Sequence, residues 1–138
     1  LIDWIVRRSR VAIRWAAQLR RRGDAASSKR ALALIEQATK AMGDCEPVVA
    51  DLVVLPDRPN SAIERVYDFY WISSETWLAM GEFARDLGQH AQARSAFQSA
   101  KKAFDCLTAF SREHSLVHER PAEVETLWKR VRAGLLAH

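Results

Sequence analysis

The chain is poor in the residues that punctuate or staple a fold. It has five glycines, four prolines and two cysteines in 138 residues. So few turn formers weigh against an all-β chain of short strands. Cys45 and Cys106 stand alone, in no metal-binding or redox spacing. They read as free thiols of a reducing compartment, with one disulfide between them left open. No apolar run approaches the length of a membrane span. A phosphate loop, a dinucleotide fingerprint and a nucleophile elbow are all missing. His114 and His118 could share a helix face, but HSLVH lacks the glutamate that follows the first histidine in helical zinc proteases. A polar helix end is the simpler reading of that pair. Glu82 and Asp86 read as an exposed i, i+4 pair beside Arg85. No catalytic constellation, metal site or cofactor site emerges, and the expectation is a protein that is not an enzyme. The first residue, Leu1, falls in mid-pattern, which suggests a piece of a longer chain. An intracellular, cytoplasmic setting is expected.

Ala, Arg and Leu are abundant, and apolar residues recur at helical spacing, so the expected class is all-α. Residues 1–22 form an amphipathic helix. Leu1, Trp4, Ile5, Val11, Ala12, Trp15, Ala16 and Leu19 share one broad face, and Arg7, Arg10, Arg14 and Arg21 share the opposite one. Gly23-Asp24 breaks it. A second helix over 27–42 starts at Ser27 or Ser28, carries Ala31, Leu32, Ile35, Ala38, Thr39 and Met42, and stops at Gly43-Asp44. Residues 44–60 are irregular or a short helix. The β-branched residues of VVADLVVL favour extension, and Pro47 at its start favours a helix. Beyond Ser61 the pattern is helical again. It either pauses at Ser73-Ser74-Glu75, giving a helix over 61–72, or runs through as one helix of about 27 residues. Tyr67, Phe69, Tyr70 and Trp71 read as packing, with a small-molecule cavity lined by Tyr67, Tyr70, Trp71 and Trp77 as the other possibility. A last helix over 121–137 begins at Pro121 and carries Val124, Leu127, Trp128, Val131 and Leu135.

The clearest unit is 74–105. Trp77, Met80, Gly81 and Ala84 lie on one side of a break at Leu87-Gly88, and Ala93, Phe97, Ala100 and Phe104 on the other. Gly81 costs about 1 kcal/mol of helix propensity, so it signals close approach of a second helix. Gly88 suits a left-handed helix end. This unit resembles the tetratricopeptide repeat, a helical hairpin of about 34 residues. Trp77 takes the family's Trp position, Met80-Gly81 its Leu-Gly pair and Gly88 its turn glycine, and Ala93, Phe97 and Ala100 take the second-helix positions. Ala84 replaces an aromatic, and Asp105 replaces the terminal proline, so the second helix should run on. Aligning Gly23 with Gly88 gives a weaker repeat over 10–43. It puts Trp15-Ala16 over Met80-Gly81, Leu19 over Ala84, Ser28 over Ala93, Leu32 over Phe97 and Ile35 over Ala100. The resemblance implies one domain of antiparallel helical hairpins stacked as a short right-handed superhelix, closed by 121–137 as a capping helix.

It also implies a scaffold or adaptor whose first helices line a groove for a protein or peptide. By position those groove residues are Glu75, Leu78, Glu82, Arg85 and Asp86, with Arg10, Ile13, Ala17, Arg20 and Arg21 in the weaker unit. The Asn and Lys residues that clamp a terminal carboxylate in some such domains are absent. Charge adds a preference. Residues 1–42 hold ten Lys and Arg against three Asp and Glu, and the rest holds eleven against fourteen. The basic start suits an acidic partner. The alternative is nucleic acid held by Arg7, Arg10, Arg14 and Arg21.

Overall fold

The computed structural model describes residues 1–54, 60–114 and 121–137. Among them are five helices and no strand: α1 (Ile2–Arg21), α2 (Ala25–Val54), α3 (Asn60–Asp86), α4 (His90–Glu113) and α5 (Pro121–Ala137). The all-α class is thus the observed one.

The helix boundaries follow local chemistry, not always the expected residue. Gly23 and Gly88 both take positive φ, 78° and 74°, and end α1 and α3. Helix α2 is capped one turn earlier than Ser27 or Ser28. The Asp24 carboxylate accepts the Ser27 N–H at 2.9 Å, and that bond holds its pKa below the ordinary value. Nor does α2 stop at Gly43-Asp44. It continues through Pro47 to Val54, so the stretch 44–54 is neither irregular nor a separate short helix. The proline removes one backbone bond, at a cost of about 3 kcal/mol in a helix interior. Opposing that cost, Met42, Cys45 and Val49 are all buried along one stripe across the break. Residues 55–59 lie outside the described ones. Helix α3 is the uninterrupted alternative. Ser74 and Thr76 do not cap a new helix; their hydroxyls donate to the carbonyls of Tyr70 (2.9 Å) and Ile72 (2.6 Å), one turn back in the same helix. Helix α4 does run on past Asp105, to Glu113.

Helix α3 is the hub, packed against α1, α2, α4 and α5. Two ion pairs mark its direction beside α1. Arg65 meets Asp3 at 3.3 Å near the start of both helices, and Asp86 meets Arg20 near the end of both. The two helices are therefore parallel. Helix α5 lies on the far side of α3 and also touches α4. One core cluster joins all five helices around Ile35, Leu78, Phe97, Leu107 and Val131. A second gathers Ile5, Met42, Val49, Val66, Phe69 and Phe110 near the start of α1. Gly81 serves close approach of a second helix, as expected, and what approaches is the aromatic ring of Phe97 on α4. A Cβ at Gly81 would lie 2.8 Å from the Phe97 ring, and one at Gly134 on α5 would lie 2.3 Å from it.

Candidate partner-binding face

The helices α1, α3 and α5 lie side by side, and one face of the row stays open. On α3 that face carries Glu64, Asp68, Trp71, Glu75, Glu82 and Asp86. All are exposed or half-buried, while thirteen positions of the helix, from Ala62 to Ala84, are buried. Asp68, Glu75 and Glu82 are seven residues apart, as are Glu64 and Trp71, so they repeat every two turns. The stripe is acidic. Beside it α1 presents Arg7, Arg10, Arg14 and Arg21, all exposed. None of these four takes part in an ion pair among the described residues.

Glu75 is the most constrained group on this face. Trp71, one turn earlier, donates its indole N–H to the Glu75 Oε1. Burial pushes the Glu75 carboxyl above its ordinary pKa. The Trp71 bond and the cations Arg10 and Arg130 pull it back, and Glu123 pushes it up again. The group thus sits between α1 and α5 and senses both. Because its folded pKa is raised, its contribution to stability is complete at acid pH and is lost as pH rises through the folded value.

The expected groove residues do not all reach the face. Leu78 does not: it is fully buried in the main core, so it has no surface to offer a partner. It continues the Glu64–Trp71 row by two more turns, at a level where the main core covers that row. Arg10, Arg20, Arg21 and Asp86 are exposed, and Ile13, Ala17, Glu75, Glu82 and Arg85 are half-buried. Several are already engaged. Asp86 holds Arg20 of α1, and Glu82 holds Arg130 of α5. Arg20 also lies 5.1 Å from the Phe83 ring centre, and Arg85 lies 5.8 Å from that of Phe97. Glu82 and Asp86, beside Arg85, belong to a surface charge network that ties α3 to both neighbours. Sequence reasoning missed Trp71, Glu64, Asp68 and Arg130 as parts of this face. The seven-residue spacing of the acids was the available signal.

Among the described residues no group of His, Cys, Asp and Glu could hold a metal ion. His118 lies outside them, and His114 packs on Phe110 with ring centres 4.3 Å apart. Cys45 and Cys106 are free, and burial pushes both thiols above their ordinary pKa. The aromatic residues pack on each other: Tyr67 on Trp71 at 6.3 Å, Phe69 on Tyr70 at 6.0 Å and Tyr70 on Phe110 at 5.9 Å. Among the described residues no helix is long and apolar enough to cross a membrane. No known protein family, curated protein or solved structure matches the chain.

Proposed function

We propose that the chain is a non-enzymatic interaction module, a scaffold or adaptor that holds a peptide or helix of a partner protein on the open α1–α3–α5 face. The observation that carries this reading is the face itself. A basic helix and an acidic helix lie parallel, tied at both ends by ion pairs, and leave Arg10, Glu75 and Trp71 between them. The two apolar clusters that α1 and α3 share hold this surface, and a surface held in this way loses little freedom on binding. The tetratricopeptide-like reading belongs to the same proposal. Support for it comes from Phe97 seated on Gly81 and from the left-handed Gly88. A departure from it is length: the α3–α4 hairpin runs from residue 60 to residue 113, well over the family's repeat of about 34.

The test is affinity capture from the cells that make the protein, at low and high salt, with wild type and an Arg10→Glu, Arg21→Glu variant. Both residues are exposed, so helix content should hold. The expected result is a protein partner that survives high salt with wild type and is lost with the variant. An unchanged set of captured proteins would remove the face from the function. A second reading is RNA held by Arg7, Arg10, Arg14 and Arg21, which form no ion pair among the described residues. Four single-strand phosphate contacts would make log K fall by about 3 per tenfold rise in salt. A flat salt response rejects that reading.

A further inference from the structure

Helix α1 has a second uncovered surface, on the side away from α3. Its buried face is Ile2, Ile5, Val6, Ser9, Ala16 and Leu19. Trp4, Val11 and Trp15 belong to the broad apolar face expected from sequence, yet they stay 56%, 58% and 56% exposed. The reason is the width of the apolar arc. It spans more of the helix than α2 and α3 together cover. The three side chains recur at i, i+7 and i+11, in a straight stripe about 16 Å long. None of them belongs to either core cluster.

The stripe borders a cleft. Val11 and Trp15 of α1 face Leu34, Gln37 and Ala38 of α2 across a hollow of about 230 Å³, with Arg8 at its edge. The Arg8 guanidinium lies 5.2 Å from the centre of the Trp4 ring. Arg7 and Arg14 flank the stripe on its other side. The one acid of α1, Asp3, is already paired with Arg65 of α3. An apolar stripe edged by cations, with a hollow beside it, calls for an apolar ridge edged by anions.

We infer that the Trp4–Val11–Trp15 stripe and its cleft form a docking groove for an acidic amphipathic helix of a partner protein. A helix supplies apolar side chains at i, i+3, i+4 and i+7, which match a straight stripe and insert into a hollow. Its carboxylates meet Arg7, Arg8 and Arg14. A second copy of this chain fits poorly, because a two-fold contact would set these arginines against themselves. A lipid surface is flat and leaves the hollow unfilled. The groove shares Arg7 and Arg14 with the edge of the α1–α3–α5 face, but its apolar stripe and hollow are separate from that face, so Val11 and Trp15 test the groove alone.

The test uses the whole chain and a fluorescent designed peptide of about three heptads, with Leu at positions a and d and Glu on the flanks. A second peptide carries Lys in place of each Glu. Anisotropy should show the acidic peptide binding at least about tenfold more tightly than the basic one, with affinity falling as salt rises. Val11→Asp and Trp15→Ser should each weaken it at least about tenfold. Both positions are more exposed than buried, so the melting temperature should stay within about 3 °C of wild type. Arg10→Glu with Arg21→Glu, the variant of the other face, should leave at least half the affinity. Equal binding of the two peptides, no binding of the acidic one, or wild-type affinity in Val11→Asp would each overturn the proposal. So would tighter binding to phosphatidylserine vesicles or to poly(U), or a dimer in sedimentation, if Trp15→Ser abolished it.

Discussion

Phe97 shows how one side chain can fix three helices. It is fully buried on α4, with Gly81 of α3 and Gly134 of α5 against its ring. Alanine at Gly134 would gain about 1 kcal/mol of helix propensity. Its Cβ would also fall 2.3 Å from ring carbons that have no open side to move to. Overpacking of this kind costs about 1–3 kcal/mol. Gly134→Ala is therefore expected to lower stability by up to about 2 kcal/mol in urea unfolding. Phe97→Leu should cost less in the Gly134→Ala background than in wild type, since the smaller side chain relieves the clash. Equal or greater stability of Gly134→Ala would show that α5 is free to shift away. The sequence announced half of this arrangement. Gly81 stood inside a strong helical pattern, so a close neighbour was legible. Gly134 sits near the end of its helix, where a glycine draws no notice, and no local pattern tells which ring will reach it.

At the scale of the element, α2 and α1 show opposite limits of reading by periodicity. In α2 the punctuation Gly43-Asp44, followed by Pro47, reads as a stop, yet burial of Met42, Cys45 and Val49 carries the helix through. Tertiary packing overrides local propensity there. That account makes Gly43 a liability and not a signal. It is exposed, helical, and has nothing within 4 Å of where a Cβ would be. Gly43→Ala should raise stability by about 1 kcal/mol, visible as a higher urea midpoint at unchanged slope. A fall in stability would mean that the helix needs a glycine to accommodate Pro47. In α1 the pattern was right about the helix and silent about its core. Trp4, Val11 and Trp15 lie in the same apolar arc as Ile5, Ala16 and Leu19, and only the placement of α2 and α3 separates the two groups. An arc that is too wide for its neighbours is recognisable only once the neighbours are known. The start of α5 was legible because Pro121 suits the first turn of a helix.

At the scale of the molecule, the central helix makes the parts interdependent. Helix α3 is about 40 Å long and contributes to both core clusters: Val66, Phe69 and Ile72 to one, Leu78, Met80, Phe83 and Ala84 to the other. Ile13, Tyr67 and Tyr70 pack against both. No boundary of weak contact therefore divides the chain across α3, and the ion pairs to α1 and α5 add little to that coupling, since each involves partly exposed groups worth about 0–1 kcal/mol. Coupling through apolar burial predicts a single transition. Far-UV circular dichroism and tryptophan fluorescence should report the same urea midpoint. Ile35→Ala in one cluster and Met42→Ala in the other should each lower stability by about 2–5 kcal/mol and move both probes together. Two separable transitions, with each variant moving only one, would mean that α3 is a linker between two independent cores, and that the row α1–α3–α5 is not held as one rigid surface.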